Sequence, residues 1–420
     1  MLDIKFIREN KDIVKTGAKK KHIDVDIDTL LELDEKRLSI LSRVEVLRSE
    51  QNKVSVTLGQ KIEDTARFQL IEEMRIVKDE LKEKEDVLRE VTLEWQKLMV
   101  QVPNVPDISV PEGESDADNQ EIKVVGDKKV FDFKPVDHIA LMENLDMADF
   151  ERGTKVSGFR GYFLKNDGAL LEFALWQFFL DKLIQKGFSP MIVPSLVNRQ
   201  TLFGTGYLPQ GEDDLYKTQD GDYLSGTGEV ATMAYYSDEV IDRSKLPIKM
   251  LAFSPCFRRE AGSHGKDVKG LIRVHEFFKF EQVVLCEASH TESVKYHEEI
   301  TANVEEILQE LELPYHIVLN CGGDIGLGQV KKYDIEVWMP SQEIYRETHS
   351  ASYFHDFQTR RLNIRYKDEN GKMQYAHSLN NTLVATPRIL ACIVENYQNN
   401  DGTITVPKVL QKYINKEIMS

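Results

Sequence analysis

The sequence predicts an α+β protein in which an N-terminal antiparallel helical coiled-coil arm precedes a domain built on an antiparallel β-sheet flanked by helices. Two patterns lead to this prediction. Seam positions recur at alternating steps of three and four residues over residues 37–98, whereas short β-branched and aromatic runs are interspersed with helical patches after residue 120. At 420 residues the chain is long enough for two domains.

Two periodic series predict the arm. The first begins at Arg37 and ends at Leu58, and the second begins at Met74 and ends at Leu98. Alternating spacing of this kind is typical of a left-handed coiled-coil seam, and the break around residues 59–65 lets the second helix fold back on the first. Each helix of about 30 residues would span about 45 Å at 1.5 Å per residue. An ordinary segment of a helical bundle is the alternative interpretation.

A segment without either periodicity separates the two regions. Residues 103–120 are rich in Pro, Asp and Ser, a composition typical of a linker. We therefore expect an N-terminal domain at residues 1–102, with the arm at about 28–100, and a second domain at residues 121–420. Within the second domain, helices are expected at about 170–186 and 298–311.

Charge restricts the classes of partner. The 70 acidic and 54 basic residues give a formal net charge of -16, which argues against broad, sequence-independent adhesion to nucleic acid or to an anionic membrane. Any RNA contact should therefore be a local basic patch. Lysines and arginines among the first twenty-five residues offer one candidate, for which a solvated helix face is an equally good interpretation.

Cysteine usage and the N-terminus are consistent with a cytoplasmic protein. No C-x-x-C pair and no His at metal-ligand spacing accompanies the cysteines, so we expect neither a disulfide framework nor a structural zinc site. The N-terminus lacks an apolar targeting segment, and no run of about 18 apolar residues occurs. We expect a soluble protein that is neither secreted nor membrane-spanning and that has no membrane or DNA partner.

Residues 251–285 predict a strand, a Gly-rich polar loop and a second strand. Arg258 and Glu260 should share a face of the first strand, because alternate side chains of a strand point the same way. By the same rule, one face of the second strand should carry charged and aromatic side chains: Arg273, His275, Phe277, Lys279 and Glu281. Cations for phosphate, a ring for a base and carboxylates for an ammonium are what binding of ATP and an amino acid requires. Surface salt bridges would explain the charges alone.

A second cation is predicted at the start of a buried helix. Thr386 followed by Pro387 is typical of an N-cap and first helical turn, which places Arg388 in that turn. A cation there opposes the helix dipole unless an anion shares the site, and a triphosphate would supply one. An exposed Arg388 without a ligand is the alternative. The residues by themselves thus predict a nucleotide-binding enzyme with a helical arm.

Several ordered strings resemble one family. FRREAGSHGKD with RVHEFFKFE resembles motif 2 of class II aminoacyl-tRNA synthetases, GFSPMIVPSLV resembles motif 1, and HSLNNTLVATPRIL resembles the start of motif 3. LFGTGYLPQGEDDLY, EVWMPSQEIYRETHS and DFQTRRLNIRY are similar to the seryl branch in order and spacing. The chain is thereby identified as a member of the seryl-tRNA synthetase family, from the arm to the C-terminus.

The resemblance implies a reaction and its partners. A member of this family activates L-serine with ATP to seryl-adenylate and pyrophosphate, then transfers serine to the 3′ end of tRNA(Ser) and, where present, tRNA(Sec). It implies Mg²⁺ as cofactor, no zinc, and a homodimer formed through the motif 1 region. It also implies a class II catalytic domain built on an antiparallel sheet.

The resemblance further implies the residues of the site. The catalytic residues would be Arg258, Arg388 and Glu347. The ATP-binding residues would be Arg258, Arg259, Glu260, Arg273, Phe277, Glu347, Thr348, His349, Ser350 and Arg388. The serine-binding residues would be Thr227, Gly228, Glu229, Arg258, Glu281, Asn380 and Thr382, and the magnesium ligands would be Glu347 and Ser350.

Individual roles follow from the same resemblance. Arg258 would bridge the α-phosphate and the serine carboxylate, and Phe277 would stack on adenine. Glu260 would accept a hydrogen bond from the adenine amine. Arg273 and Arg388 would hold the γ-phosphate.

Five departures and two alternatives accompany this interpretation. Gly228, Glu276, Phe278, Asn381 and Pro387 differ from the usual family residues, and of these Gly228 and Asn381 are expected to border the serine pocket. A relative that loads a carrier protein instead of RNA would lack the arm. A non-catalytic RNA-binding paralogue would be expected to have lost Arg258, Arg388 or Glu347, and all three are present.

Overall fold

The chain folds into two units. The computed structural model describes residues 1–60, 63–262, 265 and 267–420, and these fold into two compact units, Met1–Pro103 and Asn104–Ser420. Two residues of the predicted turn of the arm lie outside the described residues, namely Lys61 and Ile62. Three residues of the predicted polar loop also lie outside them: Ser263, His264 and Lys266.

The first unit is helical. Its helices are α1 (Ile4–Glu9), α2 (Lys11–Lys20), α3 (Ile27–Leu58) and α4 (Asp64–Met99). Asp26 caps α3 by accepting a 2.9 Å hydrogen bond from the Thr29 backbone N–H. The long helices pack through an apolar seam that includes Val44, Leu47 and Leu81, as the periodicity predicted. The helical arm is therefore confirmed.

One polar seam position has a specific partner. Arg37 donates a 2.8 Å hydrogen bond to the buried carboxylate of Asp34, and its guanidinium lies 4.9 Å from the ring centroid of Trp95. Arg8 forms an ion pair with the same carboxylate. The two guanidinium groups compensate the burial of Asp34, which would otherwise be costly.

The second unit is an antiparallel sheet covered by helices. The helices are α5 (His138–Asn144), α6 (Phe150–Ser157), α7 (Asn166–Gln185), α8 (Arg199–Thr205), α9 (Gly228–Ala234), α10 (His290–Glu310), α11 (Phe357–Leu362), α12 (Thr386–Asn396) and α13 (Lys408–Ile414). The strands are β1 (Gln120–Val125), β2 (Ala148–Asp149), β3 (Phe163–Leu164), β4 (Ser189–Ile192), β5 (Leu196–Val197), β6 (Tyr216–Lys217), β7 (Tyr223–Leu224), β8 (Val240–Ile241), β9 (Ile248–Phe257), β10 (Glu276–Cys286), β11 (Tyr315–Leu319), β12 (Lys331–Met339), β13 (Ile344–His355), β14 (Arg365–Lys367), β15 (Met373–Tyr375), β16 (His377–Ala385), β17 (Ile404–Thr405) and β18 (Ile418–Met419).

The largest sheet has eight strands in the order β1-β11-β12-β13-β16-β10-β9-β4. Every neighbouring pair is antiparallel except β4 with β9. The two helices predicted at about 170–186 and 298–311 correspond to α7 and α10. The predicted α+β architecture is confirmed.

The residues of the predicted linker are hydrogen-bonded to the second unit. The Asn104 side-chain amide donates to the carbonyls of Gly328 at 3.0 Å and Phe354 at 2.7 Å. The Gly322 N–H donates to the Pro111 carbonyl at 3.0 Å. These bonds satisfy polar groups that a segment without helix or strand leaves unpaired.

Two further features concern the state of the cysteines and the polarity of the helices. The four cysteines are all free and buried. Among the described residues, no helix combines the length and the apolar character that crossing a bilayer requires.

The seam of the arm can be tested by cavity creation. Leu47 is fully buried between α3 and α4, whereas Val56 of the same helix is 67% exposed. We expect Leu47→Ala to weaken the pairing by about 2–5 kcal/mol, because a buried leucine is replaced by a cavity. Hydrogen-exchange mass spectrometry of the intact chain should show faster exchange in α3 and α4 but not in the sheet. Val56→Ala is the control, and equal exchange in the two variants would contradict the proposed seam.

Candidate active site

A narrow cavity of about 50 Å³ brings predicted site residues from distant parts of the chain together. Arg258, which follows β9, and Arg388, in the first turn of α12, both line it. The other predicted residues along its wall are Glu260, Arg273, Phe277, Glu347, Thr348, His349 and Thr382. The convergence of the two guanidinium groups was the main spatial requirement of the sequence-based interpretation.

The hairpin of β9 and β10 forms one wall. Cys256 pairs with Phe277 and Ser254 pairs with Lys279, so these side chains leave the same face of the sheet. The Arg258 guanidinium lies 5.5 Å from the Phe277 ring centroid. Arg258 is also held by a 3.4 Å hydrogen bond from Nε to the Gly226 carbonyl. The arrangement leaves an aromatic face beside a half-buried cation.

An ion-pair cluster lies at the start of the loop between these strands. Arg273 donates from Nη1 to the Glu260 carboxylate at 2.9 Å, and its Nε lies 3.4 Å from the Asp267 carboxylate. Asp267 also accepts a 3.0 Å hydrogen bond from Arg346. Glu260 adopts a left-handed backbone conformation with φ of 54°, which is uncommon for a residue with a side chain. The cluster orients Arg273 towards the cavity wall.

Arg388 joins three segments. It donates from Nε to the Ile272 carbonyl at 3.0 Å, and from Nη1 to the Glu347 carbonyl at 2.7 Å and carboxylate at 3.3 Å. Burial raises the pKa of Glu347, but the positive charges of Arg388, Lys332 and Arg258 outweigh it and hold that pKa at about 2. Glu347 is therefore an anion across the physiological pH range.

The start of α12 differs from the prediction in one detail. The N-cap residue is Ala385, and Thr386 is already inside the helix with Pro387 in the first turn. The Thr386 hydroxyl donates to the buried Glu172 carboxylate and does not cap the helix. The prediction of Thr386 as N-cap was wrong because a tertiary acceptor competes for the hydroxyl.

A second group of polar residues lies beside the cavity, where serine was predicted to bind. Thr227 caps α9, because its hydroxyl accepts a hydrogen bond from the Glu229 backbone N–H. The same hydroxyl donates a 3.2 Å hydrogen bond to the Glu281 carboxylate. Lys279 donates to Thr227 at 2.8 Å and to Thr382 at 3.4 Å, and it forms an ion pair with Glu281. These contacts compensate the burial of a full charge pair.

Glu229 is the other carboxylate of this pocket. Gln358 donates to it at 2.6 Å and the Tyr207 hydroxyl donates to it at 3.2 Å. Burial and the nearby charge of Glu281 raise the pKa of Glu229, and the opposing effects of Gln358, Lys279 and Tyr207 leave that pKa at about 7. Glu229 therefore changes its charge near neutral pH.

Some residues are not where the sequence placed them. His275 was predicted on the face of Phe277, but it lies on a different cavity, with Phe159 and Tyr216 as ring neighbours. That prediction was wrong because β10 begins at Glu276, and strand alternation does not extend to the residues before it. Arg259 is exposed and donates to the Asp213 carbonyl at 3.2 Å.

The two departures that were expected at the serine pocket differ in their position. A Cβ atom at Gly228 would lie 3.7 Å from the Cβ of Glu281, so Gly228 does border the pocket. Asn381 pairs with Gln282, one residue along from Glu281, and accepts a 2.6 Å hydrogen bond from the Gln282 amide. Because alternate residues face opposite sides, Asn381 points away from the pocket. Its expected place at the serine pocket was wrong.

The two predicted metal residues, Glu347 and Ser350, both lie on β13, which pairs with β12. Ser350 of β13 is the register partner of Asp334 of β12. Burial raises the pKa of Asp334 to about 6, with Lys332 opposing the shift and Glu347 adding to it. In the described part of the chain, no group of three or more His, Cys, Asp and Glu side chains is arranged to hold a metal ion. Two carboxylates and a hydroxyl nevertheless suit Mg²⁺, which usually takes one or two carboxylates together with substrate phosphates.

Sequence reasoning missed several members of the site. Lys279 was placed on the correct face by strand alternation but received no role, although a lysine between Phe277 and Glu281 was a usable signal. Tyr207 and Gln358 contact Glu229 from loops and helices far away in the sequence. No local pattern could have indicated those two contacts.

Comparison with known proteins agrees with this geometry. The family model for the seryl-tRNA synthetase N-terminal domain matches residues 1–106, and that for the tRNA synthetase class II core domain (G, H, P, S and T) matches residues 215–397. A serine–tRNA ligase of Deinococcus radiodurans is 46% identical over 99% of this chain and 97% of its own length. A serine–tRNA ligase of Borreliella afzelii is 43% identical over 98% of each chain.

Solved structures are similar over the same extent. The crystal structure of seryl-tRNA synthetase from Pyrococcus horikoshii complexed with ATP has a TM-score of 0.91 and 39% identity, covering 100% of this chain and 99% of that one. The cytoplasmic serine–tRNA ligase of Naegleria fowleri in complex with AMP has a TM-score of 0.88 and 32% identity over 100% and 99% of the two chains. The chain belongs to the seryl-tRNA synthetase family.

Proposed function

We propose that this chain is a serine–tRNA ligase that forms seryl-adenylate from L-serine and ATP and then transfers serine to the 3′ end of tRNA(Ser), and of tRNA(Sec) where present. One observation carries the proposal. Arg258 and Arg388 line a single cavity together with Glu347, beside a pocket that contains the carboxylates of Glu229 and Glu281. Cations for a nucleotide thus lie next to anions for an amino acid.

The first step needs charge compensation more than proton transfer. The serine carboxylate attacks the α-phosphorus, a new P–O bond forms, and the bond to pyrophosphate breaks in line. The nucleophile is already ionised, so no general base is required. Arg258 is assigned to bridge the two anionic reactants, and Phe277, whose ring centroid lies 5.5 Å from the Arg258 guanidinium, is assigned to adenine. Magnesium, for which Glu347 and Ser350 are the proposed ligands, would supply further positive charge at the phosphates.

The phosphates would be held by the cations already paired in the protein. Arg388 and Arg273 are assigned to the γ-phosphate, with Glu260 at the adenine amine. Thr348, His349 and Arg259 remain assigned to the ATP site on family resemblance. The ion pairs of Arg273 with Glu260 and Arg388 with Glu347 keep these guanidinium groups oriented before ATP arrives.

Serine selectivity follows from the neighbouring pocket. The ammonium group is assigned to Thr227, Glu229 and Glu281, and the hydroxyl to Asn380 and Thr382. An analogue without the hydroxyl would leave buried polar groups unpaired, at about 1–3 kcal/mol each. Lys279 contacts both Thr227 and Thr382 and so connects the two halves of the pocket.

For the second step we assign residues 1–102 to tRNA, with the arm as the gripping element and residues 121–420 as the catalytic domain. We place the protein in the cytoplasm. Loading of a carrier protein is disfavoured, because the N-terminal domain family model matches residues 1–106. A non-catalytic paralogue is disfavoured by the retained Arg258, Arg388 and Glu347.

A homodimer through the motif 1 region is part of the proposal. The β4 strand is one edge of the eight-stranded sheet, and Ile192 at its end is 88% exposed. Leu196 and Phe173 nearby in the same region of the sequence are also exposed. Exposed sheet edges and apolar side chains are features that a second subunit covers.

Amino-acid activation gives the first test. Among serine, threonine, alanine, cysteine and glycine, we expect only serine to drive ATP–pyrophosphate exchange, because only serine fills the pocket and pairs its polar groups. A reaction that contains ATP and pyrophosphate but no amino acid is the background control. Equal exchange with another amino acid of the panel would overturn the substrate assignment.

The charge of Glu229 gives a test by pH. Below its pKa of about 7, Glu229 is protonated and cannot pair with the serine ammonium, which stays charged. The KM for serine in the exchange reaction should therefore rise as the pH falls below 7, by up to about tenfold per pH unit. Glu229→Gln should have a high KM that no longer changes over this range.

The matched control for this test is Glu212→Gln. Glu212 accepts a 2.6 Å hydrogen bond from Tyr223 at a partly exposed site and has no hydrogen bond to Glu229 or Glu281 among the described residues. This variant should keep the pH profile of the unmodified protein. A KM profile that Glu229→Gln leaves unchanged would exclude Glu229 from serine recognition.

The arm gives a third test. Deletion of residues 28–100 should abolish tRNA charging while leaving ATP–pyrophosphate exchange largely intact, since the residues of the proposed active site all lie in the second unit. Exchange activity in the same preparation reports whether the catalytic unit is folded. Unchanged charging by the shortened protein would refute the role given to the arm.

A further inference from the structure

A buried carboxylate, that of Asp334, lies on the sheet face of the predicted magnesium ligands. Asp334 and Ser350 are direct register partners in the antiparallel pair β12–β13. Side chains of such partners leave the same face, with Cβ atoms about 5 Å apart. Glu347 lies three residues before Ser350, beyond a bulge in that pair, and its charge acts directly on Asp334.

Only one oxygen of this carboxylate is satisfied. Asp334 is 5% exposed, and its Oδ2 accepts from the Asn320 amide at 2.7 Å and lies 2.8 Å from Lys332 Nζ. Its Oδ1 is buried and has no hydrogen-bond partner among the described residues. Leaving a buried acceptor unpaired is unfavourable for the folded state. The fold thus presents an acceptor that the described residues do not themselves use.

The electrostatics favour a cation as its partner once ATP is present. In the free protein, Lys332 offsets Asp334 and Arg388 offsets Glu347. The phosphates of ATP would add several negative charges to this balance. Carboxylate and hydroxyl oxygens on one sheet face are the hard ligands that a divalent cation prefers.

We propose that Asp334 is a further carboxylate of the divalent-cation site, beside Glu347 and Ser350. The proposal rests on the proposed function for the presence of ATP and of the cation. It adds a residue that the family resemblance did not indicate. Asn320 and Lys332 hold one oxygen of Asp334, so the other keeps a defined direction.

The test measures cation binding directly. Mn²⁺ is titrated into the intact chain with a non-hydrolysable ATP analogue, and free Mn²⁺ is followed by electron paramagnetic resonance. We expect Asp334→Asn to weaken Mn²⁺ binding by about 10- to 100-fold, the usual effect of losing a supporting residue of a metal site. Asp334→Glu keeps the carboxylate and should bind Mn²⁺ more tightly than Asp334→Asn.

The matched control is Asp324→Asn. Asp324 accepts from the same Asn320 amide at 2.7 Å, so its change perturbs the same network without removing the proposed ligand. This variant should bind Mn²⁺ as the unmodified protein does. Equal weakening in Asp324→Asn and Asp334→Asn, or equal weak binding by Asp334→Glu and Asp334→Asn, would overturn the proposal.

Glu347→Gln separates this proposal from the proposed function. Weak Mn²⁺ binding by Glu347→Gln with normal binding by Asp334→Asn would overturn only the role of Asp334. Normal binding by Glu347→Gln would instead remove the family-based metal site, and the inference with it.

Discussion

Arg388 holds the active-site region together through bonds to backbone as well as to side chain. Its guanidinium reaches the Ile272 carbonyl ahead of β10 and both the carbonyl and carboxylate of Glu347 in β13. A cation in the first turn of α12 is opposed by the helix dipole, so these acceptors are needed to offset that unfavourable interaction. These bonds join a helix, a strand and a loop on the wall of one cavity.

Two further charge pairs of the site follow the same rule of compensation within the protein. Arg273 is paired with Glu260, and Lys279 with Glu281. Taking single charges out of water is costly, and pairing them reduces the cost while fixing their geometry. A polyphosphate and a zwitterionic amino acid together carry charges of both signs. Their charged groups can then replace the partners that these side chains have in the free protein. Catalysis by positioning and charge compensation requires such preorganised groups.

The sequence could predict the position of a side chain where the regular period of a helix or a strand determines which way that side chain points. The arm was predictable because Val44, Leu47 and Leu81 recur with the helical period, and Phe277, Lys279 and Glu281 were placed on one face by strand alternation. Alternation failed at His275, which precedes the strand.

Tertiary contacts set the remaining limits of the sequence-based prediction. The Thr386 hydroxyl is taken by Glu172, and Asn381 lies one residue out of phase with the pocket. The partners of Glu229 come from Tyr207 and Gln358, and their approach is set by the packing of α8, α9 and α11, which no short sequence window records.

Two carboxylates of the site have opposite electrostatic characters, and this difference separates their roles. Glu347 is surrounded by Arg388, Lys332 and Arg258, which hold its pKa at about 2, so it is a permanent anion suited to a metal ion. Glu229 has mainly neutral donors and the like charge of Glu281 nearby, and burial raises its pKa to about 7. A group poised at that value gains its charge most readily when a cationic ammonium arrives, since the added positive charge lowers its pKa. In the proposed assignment, serine binding and ionisation of Glu229 would therefore be coupled, whereas Glu347 would keep its charge.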